Sequence, residues 1–153
     1  MISTRRFSQT LTALASFALL AGAPSAFADE HMAKNVIAVT TGSIPNDSDP
    51  RIYYVSRQLD RIQRLCAGTS RGADIGDKIA FAHSKLRVQQ AIFPMLDGFE
   101  TIATRQCGTI DSAQLLGLYV LERNDGISHA QAVKTISTRP GPIIKKWTSR
   151  PAR

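Results

Sequence analysis

The run Asp49-Pro50-Arg51-Ile52-Tyr53-Tyr54-Val55-Ser56-Arg57-Gln58-Leu59-Asp60-Arg61-Ile62-Gln63-Arg64-Leu65-Cys66 decides the fold. Ile52, Val55, Leu59, Ile62 and Cys66 recur at spacings of 3, 4, 3 and 4, one apolar stripe of an α-helix. Arg57, Asp60, Arg61 and Arg64 take the opposite face, with Asp60 one turn ahead of Arg64. Asp49 suits the N-cap, and Pro50 suits the first helical position, where a missing N–H costs nothing. Gly68 is a natural stop.

Downstream the helical period continues. A second pattern starts near Asp77 and runs through Ile79, Ala82, Leu86 and Phe93, where Pro94 interrupts it. Leu96, Phe99, Ile102 and Ala103 resume the stripe, so either a kinked helix or two consecutive helices fit. Cys107 ends this segment, which puts both cysteines at helix ends and suggests a hairpin-like pair stapled there. Asp111 with Gln114 reads as a capping box opening a further helix. Its middle, Leu115 to Leu121, is apolar all round, the mark of a helix buried on most sides. Ser128 with Gln131 caps a short last helix carrying Ala130, Val133 and Ile136, and Pro140-Gly141-Pro142 ends regular structure. The expected class is all-α, a compact bundle of four to five helices with one disulfide.

Upstream, Val36-Ile37-Ala38-Val39 reads as a short extended segment, and residues 40–47 as turn and loop. The first 28 residues read as a secretory signal peptide: Arg5 and Arg6, an uncharged run from Leu11 to Ala23, then Ala26-Phe27-Ala28, with cleavage expected after Ala28. A membrane anchor would need roughly 20 apolar residues to cross the hydrocarbon core, and this run has 13. Ser8 and Gln9 follow Phe7 where a twin-arginine signal needs a hydrophobic pair, so the unfolded-chain route is expected. The organisation is thus 1–28 signal peptide, 29–49 lead-in, 50–139 helical domain and 140–153 basic tail, in a periplasmic or secreted protein.

Cleavage removes two of 19 basic side chains and none of the 12 acidic ones, leaving a net +5 on about 125 residues. From Lys134 to Arg153 there are six basic residues and no acidic one. Such a tail is either a solubilising terminus, the simpler reading, or an extension drawn to an anionic membrane or envelope surface. No nucleic-acid-binding motif is present, and nucleic acid is not an expected partner. In an oxidising compartment the two cysteines, Cys66 and Cys107, are expected to pair. The alternative, a free catalytic thiol, would leave the other Cys idle.

Catalytic constellations are sparse. His31, His83 and His129 have no His or Cys at ligand spacing, so no metal and no cofactor is expected. Ser128 and His129 are adjacent, but a triad needs the hydroxyl bonded to an imidazole that an acid orients, and this serine has a capping role. Asp97 and Glu100 lie three apart, as do Glu122 and Asp125, and a glycosidase needs two such carboxyls across a cleft. Solvated helix surfaces explain these pairs more simply, so no catalytic residue is assigned and no enzyme is expected.

Leu65-Cys66, then Cys107 leading to Gln114-Leu115, Tyr119 and Leu121, then His129-Ala130 and Ala132, form a pattern over roughly residues 52–137. It resembles the periplasmic immunity proteins that neutralise type VI secretion amidase effectors. Many of those carry a second cysteine pair that is absent here, and nothing in the pattern matches the tail beyond Pro140. The resemblance implies an inhibitory, non-catalytic protein that binds another protein. The expected function is therefore an exported helical binding or inhibitory protein, with a periplasmic stress chaperone or envelope-associated factor as alternative and a small secreted hydrolase as the second. Thr69–Asp77 and the Asn124–Gly126 turn are the expected presenting regions.

Overall fold

The structure, a computed structural model, describes residues 26–68 and 74–149. Among them are seven helices and no strand: α1 (Ala26–Thr41), α2 (Pro50–Cys66), α3 (Ile75–Ser84), α4 (Ile92–Gln106), α5 (Ser112–Asn124), α6 (His129–Thr138) and α7 (Pro140–Thr148). The all-α expectation holds, with more helices than the four to five anticipated. Residues 1–25, most of the expected signal peptide, lie outside the described residues, as do 69–73 of the expected presenting loop.

The deciding helix forms as read. Asp49 accepts from the Arg51 N–H at 2.9 Å, Pro50 opens α2, and Ile52, Val55, Leu59, Ile62 and Cys66 are all buried. Ser128 and Asp111 also cap as expected, accepting from the N–H groups of Gln131 and Ala113. In α6 the buried positions are Ala132, Ile136 and Ser137, while Val133 is half-buried and Ala130 is exposed.

Four expectations are corrected. Val36 to Val39 is helical, not extended. Ala33, Val36 and Ile37 are buried together in α1, a 3-and-4 spacing that a four-residue apolar run conceals. Gly42, at φ +75°, ends that helix. Pro94 does not break the second pattern; it occupies the first turn of α4, where its missing N–H has no intrahelical partner to lose. The break comes earlier, between Ser84 and Ile92, where Asn124 fastens the connection by accepting from the Arg87 N–H at 2.7 Å and donating to the Lys85 carbonyl at 2.9 Å. Pro140-Gly141-Pro142 begins a helix instead of ending regular structure, with Pro140 at its first position.

The fourth concerns direction. Contacts between α2 and α4 climb both helices together: Tyr54 with Asp97, Gln58 with Asp97 and Glu100, Arg61 with Glu100, and finally Cys66 with Cys107. The two helices are therefore parallel, not a hairpin, and the disulfide joins their C-terminal ends. The pairing itself is as expected, and both cysteines are fully buried.

α1 packs across α2 and α3, and α6 across α4 and α5. Two glycines allow the close crossings. A Cβ on Gly76 would overlap the Met32 side chain of α1, and one on Gly98 would lie 2.6 Å from both His129 Cε1 and Val133 Cγ2 of α6. One core results, reaching from Ala33 of α1 to Ile143 of α7.

Serine at both Cys66 and Cys107 should lower stability by about 4 kcal/mol, the chain-entropy value for a loop near 40 residues. Urea unfolding against the oxidised parent checks this, and a loss below about 1 kcal/mol would show that the staple constrains little. Gly98→Ala forces His129 and Val133 aside and should cost about 1–3 kcal/mol, read as a lower Tm.

Candidate functional site

Asp97 and Glu100 were the best sequence candidates for paired acids. The helix brings them to one face, but α2 meets that face with three donors. Tyr54 Oη donates to Asp97 Oδ1 at 2.8 Å, and Gln58 Nε2 reaches both Asp97 Oδ1 at 2.7 Å and Glu100 Oε2 at 3.1 Å. Arg61 grips Glu100 with two bonds, Nε to Oε1 at 2.8 Å and Nη2 to Oε2 at 3.2 Å. Gln58 is fully buried, and its carbonyl oxygen finds no donor among the described residues; the amide has turned its NH2 to the two carboxylates.

A general acid needs a carboxyl that keeps its proton near neutral pH. Glu100 is pushed the other way. The Arg61 guanidinium and the Gln58 amide hold it below its ordinary 4.5, outweighing burial and the neighbouring Asp97 charge. The pair forms a structural seam between α2 and α4.

Glu122 and Asp125 are also taken. Lys146 Nζ donates to Glu122 Oε1 at 3.0 Å and Asp125 Oδ2 at 2.8 Å, while Trp147 Nε1 donates to Glu122 Oε1 at 3.0 Å. Glu122 is buried, so this cluster docks α7 against α5. Lys146 and Trp147 thus turn toward α5 while Lys145 stays exposed, and the Asn124–Gly126 turn is bound both to α7 and to the α3–α4 connection. At the other expected presenting region, Asp74 caps α3 by accepting from Gly76 N–H, and Ile75 is buried.

The histidines lie apart. His31 is exposed beside Asn35, and His83 Nε2 bonds the Gln90 carbonyl at 2.8 Å. His129 Nδ1 lies 2.8 Å from Tyr119 Oη, while Ser128 Oγ faces its own capped amide. The adjacent serine and histidine are engaged in different directions. Burial, then the Arg123 charge, hold the His129 imidazole below its ordinary 6.5, against a smaller upward pull from Asp97, so it is neutral at pH 7. Among the described residues no three His, Cys, Asp or Glu side chains gather to share a metal ion, and no helix is long and apolar enough to cross a membrane.

A concave surface among the described residues is largely free of internal bonds. α3 and α5 enclose a groove of about 310 Å³ whose floor is Ala82, Leu116 and Val120. Gly117 leaves the middle open, since a Cβ there would meet nothing within 4 Å. Phe81, 65% exposed, and Leu121 stand at its edges. Lys78 and Phe81 of α3 share one side with Lys85, the residue that caps its C-terminal end, the Lys85 ammonium lying 4.9 Å from the Phe81 ring centroid. Lys78 gives one N–H to Ser112 Oγ at 3.1 Å, and an ammonium has three. The volume falls at the lower end of ligand-sized clefts.

Sequence reasoning missed this groove. Two signals pointed to it: Phe81 lies off the Ile79–Ala82 stripe, and Gly117 interrupts a leucine-rich run.

In comparisons with protein-family models, with curated proteins and with solved structures, no match to the chain was found.

Because Glu100 has its pKa lowered in the folded state, its pairing stabilises the fold above the unfolded value of 4.5 and is lost as pH falls through the folded value. Acid unfolding should therefore separate the parent from Glu100→Gln. The variant should be less stable at pH 7, and the gap should shrink below pH 4.5. A gap that is constant with pH would show that Glu100 acts by shape alone.

Proposed function

We propose that this chain is an exported, disulfide-stapled helical protein that works by binding another protein, in the manner of an immunity protein holding a periplasmic effector enzyme inactive. The observation that carries this reading is the α3–α5 groove, an apolar trough with an exposed phenylalanine and two lysines on one rim. A disulfide between buried cysteines supports the compartment, because reducing cytosol does not maintain such bridges in most organisms. The paired acids support a non-catalytic role, since Glu100 is kept ionised by α2. A rigid scaffold also suits binding, because little ordering entropy is lost on association.

The envelope-factor alternative rests on the basic tail, of which Lys146 is bonded to Glu122 and Asp125 while Lys134, Arg139 and Lys145 are exposed. Deleting residues 140–153 would remove α7 and its Ile143 from the core, so truncation cannot isolate a surface role. Neutralising the exposed Lys145 is the cleaner variant.

Co-expression with a panel of exported cell-wall amidases, any encoded next to this gene included, should restore growth against one amidase and yield a stoichiometric complex with it by size-exclusion chromatography. Undiminished toxicity together with no complex would overturn the proposal, as would peptidoglycan turnover by the purified chain alone.

A further inference from the structure

The chemistry of the groove narrows what can fill it. We infer that the α3–α5 trough receives one amphipathic α-helix of a partner protein, its apolar face flanked by carboxylates two turns apart. This rests on the binding reading above and specifies the partner's chemistry.

The rim sets the charge. Lys78 lies on α3 and Lys85 caps its C-terminal end seven residues on, two turns, which separates their backbones by about 10.5 Å along the axis. Among the described residues neither is in an ion pair, so both ammoniums have hydrogen-bonding capacity left for a ligand. Where the structure places them, one ammonium sits on Ser112 and the other over the Phe81 ring, so each calls for its own acceptor, and a single carboxylate on an aliphatic tail supplies one. Two acidic side chains at i and i+7 of a helix match both. The trough sets the shape. Its walls are two helices, and its centre is cleared at Gly117, so a third helix can lay a ridge of side chains between them. Phe81 and Leu121 then lose their exposed surface to the incoming face, as in helix-in-groove recognition.

A second copy of this chain is a poor occupant. The chain carries a net +7, and two such grooves placed face to face would set lysine rim against lysine rim.

The test uses full-length oxidised protein and three fluorescein-labelled synthetic 18-residue peptides. All share an apolar stripe at i, i+3, i+4 and i+7; the flanking positions, two turns apart, are Glu, Gln or Lys. Anisotropy should show saturable binding of the Glu peptide, at least tenfold tighter than the Gln peptide. Lys78→Glu with Lys85→Glu should weaken the Glu peptide at least tenfold and turn the preference to the Lys peptide. Gly117→Leu, which fills open space, should abolish binding while circular dichroism shows the fold intact.

Equal affinity for the Glu and Gln peptides would overturn the inference, and so would absence of binding, or displacement of the Glu peptide by one equivalent of sodium laurate. The two readings fail separately. If parent and Gly117→Leu neutralise the amidase equally, the groove assignment falls and the binding role stands. If the Glu peptide binds as described but no amidase is neutralised, the immunity role falls and the groove chemistry stands.

Discussion

Two helices running the same way cannot be joined by a tight turn, and the parallel pairing of α2 with α4 therefore shapes the whole chain path. The intervening chain must return along the pair, which is the work of α3, and α4 can start only after the Lys85–Ala91 connection has turned back again. The pair is held at two levels. Gln58 and Arg61 bond the α4 carboxylates along the flank, and the Cys66–Cys107 bridge closes the C-terminal end. With that axis set, α1 covers the side of α2 and α3, and α6 covers α4 across Gly98. The groove is a by-product: α3 and α5 lie side by side over the core, and Gly117 leaves the space between them unfilled.

Polar side chains in this protein mostly serve assembly. Glu122 is a buried carboxylate that collects Lys146 and Trp147, so that a terminal segment rich in basic residues becomes part of the bundle. Asn124 does the same for the α3–α4 connection with both faces of its amide. Buried charges are expensive unless paired and hydrogen-bonded, and here the pairing joins elements distant in sequence. The acids whose spacing suggested chemistry are thus explained by packing partners that lie on other helices.

Much of the fold was legible because it was written locally. Asp49-Pro50, Asp111 and Ser128 announce helix starts by capping chemistry, and the α2 stripe states its buried face in full. Misreadings came where local signals conflict. Val36 to Val39 is apolar at every position and β-branched at three, so period alone could not separate strand from helix until Ala33 is counted with it. Proline is ambiguous in the same way: Pro94 and Pro140 each occupy a first turn, where they are tolerated, although they read as breaks. The seam was half visible. Tyr54, Gln58 and Arg61 follow one another at helical spacing, but nothing in the sequence says that α4 will lie against them in parallel. The groove was least visible, since a cavity depends on which helices become neighbours.

The close seat of Met32 on Gly76 has a chemical consequence. The thioether of α1 rests where even a methyl group on α3 would collide. Conversion of that sulfur to the sulfoxide would add an oxygen and a dipole to a half-buried side chain at the α1–α3 contact. An oxidant that reaches Met32 would therefore loosen α1 against α3, with Ala33, Val36 and Ile37 still seated in the core and the cystine intact. The α1–α3 contact thus responds to the oxidation state of a thioether, as the α2–α4 pair does to that of its two thiols, and the two respond in opposite senses.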